Sequence, residues 1–338
     1  MNLKEDRYKR FALVREMMES SSLVEKFKSD GATDLAVKIK DEEPRFFLTG
    51  EGSSRIFPAK RARLAALRRG SDLVPETEGA TQALEYQLSG KILSVASNSG
   101  KTKEGLRLLR KAKGEGIYTF GLVAQPGSPI AEEADFHHVL TCGKEEAVAA
   151  TKSVIEQALF YHQLFSVIEG YGMPDMGRLA ESIDHALTMA IPGNVTEAIA
   201  SAGTIYWAGR NDGVAEELTL KSNEITRKKS DFLEGTYAVH GIEEVLNKDD
   251  VIILVQPFEE EEKKFEEVLC EGVGARVFAL SGRQTLFPTI LLPEVGGADE
   301  YIRLAAGWNL LVEVGVALGI DLDHPVRARK VGNEMEPA

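Results

Sequence analysis

The sequence predicts an α/β chain built from parallel β-sheets with helices on both faces, in the manner of a flavodoxin-like three-layer sandwich. Three observations carry this. The apolar runs of strand length, among them KILSVA, IYTFGLVA and VIILVQ, are continuous rather than alternating, as strands buried on both faces are. Helical segments separate them, which is the pattern of crossover-linked parallel strands. The order strand, glycine-rich loop, helix, further strands, long helix also occurs twice, so the chain reads as an internal duplication of one α/β unit.

Taken in order, the first 44 residues read as helices. RFFLTG is a strand, GEGSSR a loop and RIFPAKRARLAAL a helix. A short strand in SDLVPE and a helix around TQALEYQL follow. KILSVA is a strand, SNSGKT a loop, and EGLRLLRKAKGEG a helix stopped by glycine. IYTFGLVA is a strand, SPIAEEAD a loop into a short helix, FHHVLTC a strand, and EEAVAATKSVIEQALFYHQLFSVI a long helix. A helical stretch with a break at IPGN leads to the second copy. There TIYWAG is a strand, RNDG a loop and VAEELTLKSNEITRK a helix. VIILVQ, ARVFAL and TILLPE are strands, and YIRLAAGWNLLVEVGVALGI is a long terminal helix. This predicts an amino-terminal helical segment (1–44), a first domain (45–168), a helical linker (169–200) and a second domain (201–338). Ligand sites are expected at the carboxyl ends of the strands.

Composition narrows the function classes. The 338 residues carry a net charge of -13, a poor match for nucleic acid. No apolar run is long enough to span a bilayer, so no membrane partner is expected. The first residues, MNLKEDRYKRF, are charged and helical in pattern, unlike a signal peptide. The two cysteines, Cys142 and Cys270, lie far apart without metal-type spacing, which suits a reducing cytoplasm.

SNSGKT sits between a buried strand and a helix. Backbone N–H groups at a helix start, together with the helix dipole, favour an anion there. Ser97, Asn98, Ser99 and Thr102 add neutral donors, and Gly100 admits close approach of the backbone. The spacing is not that of a P-loop. An ordinary loop with Thr102 capping the helix is the competing reading. Ser53 and Ser54, after Gly52, end the first strand and can face the same crevice, and VAATKS (Val148 to Ser153) opens the long helix. The second copy lacks the serine loop: VIILVQ runs into PFEEEEKKF. One copy therefore looks specialised for phosphate, leaving the other free to supply chemistry. In that copy Glu217, Lys221 and Glu224 are spaced by four and three, which puts them on one helix face. Alone, such a set also reads as a surface ion-pair ladder.

These motifs together resemble the double-SIS (sugar isomerase) proteins, including the isomerase domain of glucosamine-6-phosphate synthase and the stand-alone ketose/aldose phosphosugar isomerases and deglycases. The family's S-[QNE]-S-G-x-T loop matches Ser97, Asn98, Ser99, Gly100 and Thr102. Its G-x-G-[TS]-S matches Gly50, Gly52, Ser53 and Ser54. Its V-A-S-T-K matches Val148, Ala149, Ala150, Thr151 and Lys152, with Ala150 at the family serine. The likeness runs from about residue 45 to 334.

The resemblance implies two tandem SIS domains and a phosphorylated sugar as substrate. It implies Glu224 as proton shuttle between adjacent sugar carbons and His240, sixteen residues on, as the acid/base that opens the ring. It places Lys330, in DHPVRARKVGNE, where a lysine contacts the sugar carbonyl. Gly52, Val148, Ala150, Glu217 and Lys221 are expected to line the pocket. It also implies a homodimer with shared active sites, His240 reaching into the neighbour. No cofactor and no metal are expected; His137, His138, His162, His185 and His324 read as structural. Glutamine-dependent synthesis is not expected, since no amidotransferase domain is seen. The sequence departs from the family around the histidine, where V-H-G-I replaces the usual R-H-G-P and Tyr237 stands for an acidic residue, and Lys101 stands where the synthase has Glu. The expected reaction is aldose–ketose isomerisation. A deaminase or deglycase using the same enediol chemistry and a non-catalytic sugar-phosphate sensor are the competitors.

Overall fold

A computed structural model describes residues 1–28, 30–39 and 43–329. The chain divides into two compact units. One is built on Ser22–Met176; the other joins Met1–Ser21 to Gly177–Val326. The amino-terminal helical residues thus part between the units, Ala12–Glu25 straddling the division and Asp30–Ile39 lying in the first.

The unit around Ser22–Met176, here the first lobe, holds strands β1 (Phe46–Gly50), β2 (Glu76–Thr77), β3 (Ile92–Ser97), β4 (Thr119–Val123) and β5 (Phe136–Val139) in the order β2-β1-β3-β4-β5, all parallel. The second lobe holds β6 (Thr204–Gly209), β7 (Lys229–Glu234), β8 (Val251–Val255), β9 (Arg276–Ser281) and β10 (Thr289–Leu291). Read from the other edge, its order β7-β6-β8-β9-β10 is the same plan, again all parallel. The expected α/β architecture of two repeated, helix-flanked parallel sheets is the one observed.

The strands are continuously apolar because both faces are covered. In β1, Phe46 and Leu48 join one core with Leu35 and Phe160 from the flanking helices; Phe47 points to the other, with Leu106 and Leu109. In β3 the same alternation sends Ile92 and Ala96 one way and Leu93 and Val95 the other. Each such large side chain contributes about 1.5–3 kcal/mol on burial. In both sheets the strand order reverses beside the first strand, between β1 and β3 and between β6 and β8. Such a reversal leaves a crevice at the carboxyl ends, where ligands of open α/β sheets bind.

Several local expectations are corrected. The short second strand is Glu76–Thr77, at the end of SDLVPE rather than within it, and the helix around TQALEYQL shrinks to Ala80–Ala83. The long helix of the first lobe starts at Lys152, not at Glu145. VAEELTLKSNEITRK is α-helical only over Val214–Lys221 and continues as a π-helical turn, Ser222–Thr226. β7 was missed: KSDFLE is polar, as befits an edge strand with an exposed face. Among the described residues no helix is long and apolar enough to cross a membrane.

Candidate functional site

In the first lobe, β1 and β3 pair with Gly50 opposite Ala96, so the loops that follow leave the sheet side by side at its reversal point. A Cβ on Gly50 would lie 2.8 Å from the Ala96 carbonyl, so only glycine lets the strands meet there. Ser53 and Ser54 open helix Ser53–Arg69, after Gly52 at a positive φ of 53°. Ser97 ends β3, and Thr102 precedes helix Lys103–Gly114.

The serine loop is closed on itself. Ser97 Oγ lies 2.8 Å from Thr102 Oγ1 and accepts the Gly100 N–H at 3.1 Å. Ser99 Oγ accepts the Lys101 N–H at 3.2 Å. Ala124 N–H donates to the Asn98 carbonyl and Ile130 N–H to that of Gly100, each at 3.0 Å, bracing the loop against the segment after β4. Gly100 has φ 65°, and a Cβ there would come within 2.0 Å of Ser128 Oγ. Thr102 stands at the N-cap position, yet its side chain makes no cap hydrogen bond and turns to Ser97 instead. Simple capping by the Thr102 side chain is therefore not what is observed. Ser53, Ser97 and Ser99 are buried, while Ser54, Asn98 and Thr102 are half-buried.

Val148 and Ala150, both half-buried, lie in the irregular segment before Lys152. The sequence reading missed what organises that segment. Glu145, fully buried, accepts the Thr151 N–H at 2.7 Å and hydroxyl at 3.0 Å, the Ser153 hydroxyl at 2.5 Å and Asn98 Nδ2 at 3.3 Å. Glu156, also buried, accepts the backbone N–H groups of Thr141 and Cys142, each at 2.7 Å. The sequence reading had placed both acidic residues simply within one long helix.

In the second lobe the predicted trio does meet. Lys221 Nζ lies 3.2 Å from Glu217 and 2.7 Å from Glu224. The Lys221 and Glu217 side chains have no exposure, whereas that of Glu224 is 24% exposed. Burial alone would lower the Lys221 ammonium; Glu224 and Glu217 outweigh it and hold it above the ordinary lysine range. The π turn carrying Glu224 is pinned. Trp207 Nε1 donates to Ser222 Oγ at 2.7 Å, Ser222 Oγ donates to the Leu218 carbonyl at 2.8 Å, and Thr226 Oγ1 donates to the Ser222 carbonyl at 2.6 Å. Gly315 of helix Asp299–Ala317 allows close packing, a Cβ there lying 3.2 Å from the Ile225 carbonyl. π turns of this kind are frequent at functional sites. The surface ion-pair ladder is overturned, since two of its three members are fully buried.

His240 is not part of that cluster. It is exposed, at the end of the short 3-10 turn Tyr237–Val239. Lys330 lies outside the described residues. Of the other histidines, His138 packs on Phe160 with centroids 4.9 Å apart and His162 is buried, while His137 and His185 are exposed. His324, with Asp321 and Asp323, forms a group whose ligand atoms lie within 4.8 Å of one another, which the sequence reading did not single out. Both Asp323 oxygens there accept backbone N–H groups, of Ala12 and Leu13, and Asp321 accepts those of Asp323 and His324.

The serine loop thus belongs to one parallel α/β lobe and the Glu–Lys–Glu set to its repeat. Residues 39–167 match the model of the SIS domain. The chain is 27% identical over 265 residues to the glutamine–fructose-6-phosphate aminotransferase (isomerizing) of Bradyrhizobium diazoefficiens, covering 70% of this chain and 43% of that enzyme. To the enzyme of that name from Methanocaldococcus jannaschii it is 27% identical over 343 residues, 93% of this chain and 30% of that one. The chain thus spans less than half the length of these relatives. Among solved structures, tagatose-6-phosphate ketose/aldose isomerase from Escherichia coli superposes with a TM-score of 0.77 at 16% identity, covering 96% of this chain and 99% of that one. Glucosamine-6-phosphate deaminase from Thermotoga maritima gives 0.74 at 18% identity, covering 95% and 99%. These likenesses span both lobes and share the fold.

Proposed function

We propose that the chain is a phosphosugar isomerase, acting on a hexose 6-phosphate or an amino sugar phosphate by enediol proton transfer. The observation that carries this is the Glu217–Lys221–Glu224 set, a partly exposed carboxylate fixed by a buried ammonium. Glu224 takes a proton from one sugar carbon and returns it to the next, which requires a carboxylate held in one place. Lys221 supplies that hold. His240 opens the ring as its general acid/base. Ser97, Asn98, Ser99 and Thr102, with Ser53 and Ser54, bind the phosphate; neutral donors grip a dianion that must also leave. Lys330 stabilises the enediolate oxygen. The exposure of His240 suits a role in a neighbouring subunit's site, within a homodimer.

Release of an amine from an amino sugar phosphate is the second reading. The likeness to the Thermotoga maritima deaminase favours it, and it uses the same proton shuttle. Proton NMR in deuterated buffer separates the readings, with hexose 6-phosphates, amino sugar 6-phosphates and glycated amino acid 6-phosphates as substrates. Exchange at C1 or C2 that Glu224→Gln abolishes is the expected result, and the products tell isomerase from deaminase. Tight binding of one compound with no exchange by the wild type would overturn the catalytic reading in favour of a sensor.

A further inference from the structure

Glu145 is an anion with no solvent exposure placed beside a loop suited to phosphate. On charge alone that is unfavourable, since like charges repel. Its contacts give another reason for it. Oε1 accepts the backbone and hydroxyl of Thr151; Oε2 accepts the hydroxyl of Ser153 and Nδ2 of Asn98. Three of these donors come from the turn that opens helix Lys152–Glu169, and Asn98 Nδ2 comes from the serine loop. A carboxylate only accepts, so it selects the orientation of the Asn98 amide: Nδ2 must face Glu145. That nitrogen keeps a second N–H. The Asn98 carbonyl is meanwhile held by Ala124 N–H, so the backbone under the amide is fixed as well.

We propose that Glu145 is a positioning residue for phosphate binding, acting through Asn98 by turning its remaining side-chain N–H to the anion and by locking the serine loop to the Thr151 turn. This rests on the reading of Ser97–Thr102 as a phosphate loop. A carboxylate that acted only as a nearby charge would predict the opposite sign: its removal would tighten phosphate binding. In the glutamine isostere one acceptor oxygen becomes an NH2, which on one side opposes the Asn98 Nδ2 and on the other the Thr151 N–H, so either orientation disturbs the link between the turn and the serine loop.

The test is titration of inorganic phosphate into the full chain, followed by calorimetry, for the wild type, Ser97→Ala, Asn98→Ala, Glu145→Gln and the Asn98→Ala/Glu145→Gln pair, with thermal unfolding of each. Glu145→Gln and Asn98→Ala are each expected to weaken binding roughly tenfold, and the pair to bind no worse than either single variant. A Glu145→Gln protein that binds as tightly as the wild type, or more tightly, overturns the proposal. So does a pair whose losses add. If the wild type binds no phosphate, or Ser97→Ala changes nothing, the loop reading itself fails and takes this proposal with it. Should Glu145→Gln not fold, the Asn98 side-chain amide of the wild type answers by NMR. Phosphate should shift one Nδ2 proton and leave the one held by Glu145 in place; a shift of neither overturns the proposal.

Discussion

Lys221 lies between two carboxylates of unequal exposure: Glu217, fully buried at 3.2 Å, and Glu224, partly exposed at 2.7 Å. The buried carboxylate holds the ammonium, and the ammonium holds the exposed one. Glu217 and Lys221 have no side-chain exposure, and Glu224 is the member of the three that reaches the surface.

Glu224→Gln keeps the size of the side chain and one oxygen that can accept from Lys221, and removes the proton acceptor. Solvent exchange and turnover should fall by roughly 10²–10⁴, the span of a lost general base, while binding of sugar phosphate persists. His240→Ala should also lose turnover, yet leave stability within about 0.5 kcal/mol, because His240 is exposed. Kinetics paired with urea unfolding of both variants check this. A large stability loss in His240→Ala would make the residue structural.

Lys221→Met leaves Glu217 as a buried charge without its ammonium. Stability should drop by about 3–5 kcal/mol. Adding Glu217→Gln should recover much of that, because the uncompensated charge is gone. Urea unfolding of the singles and the pair measures the coupling. Additive losses would mean that the two residues do not act as a pair.

Much of this was legible in the sequence, for a physical reason. Doubly covered strands must be continuously apolar, so KILSVA and VIILVQ announce a parallel sheet, and the repeated order announces the duplication. The place of the serine loop between a strand and a helix was legible, because glycine and small hydroxyls interrupt the apolar pattern there. β7 was not, since an edge strand needs apolar residues on one face alone. The π turn was not either: SNEIT carries the same letters an α-helix would, and the Trp207 contact to Ser222 comes from another element. Glu145 was unreadable for the same reason, because its role lies in donors brought from Asn98, Thr151 and Ser153 by the fold.

Gly100→Ala tests the loop. With φ at 65° and Ser128 Oγ 2.0 Å from the new Cβ, alanine must both strain the backbone and push Ser128 aside. The left-handed conformation alone costs about 1–2 kcal/mol. Phosphate affinity should fall further than stability predicts, because Gly100 N–H is bound to Ser97 Oγ and the loop shape is shared between them. Thermal unfolding with and without phosphate separates the two effects. An unchanged phosphate-induced rise in Tm would remove the loop from the binding site.

His162 gives the chain a built-in acid sensitivity. It is 9% exposed, and burial, aided by Arg61 and Arg69, pushes its imidazole down to about 2. The unfolded chain binds this proton near pH 6.5 and the folded chain does not, so protonation favours the unfolded state. Stability from this group is therefore complete above about pH 6.5 and is lost progressively as the pH falls towards 2. Between about pH 6.5 and pH 5 the loss should be about 2 kcal/mol. His162→Gln is neutral throughout and should flatten that part of the curve, whatever it costs at pH 7. Urea unfolding of both proteins at a series of pH values checks it. Parallel curves would mean that His162 gains its proton in the folded state, and that Arg61 and Arg69 do not keep it out.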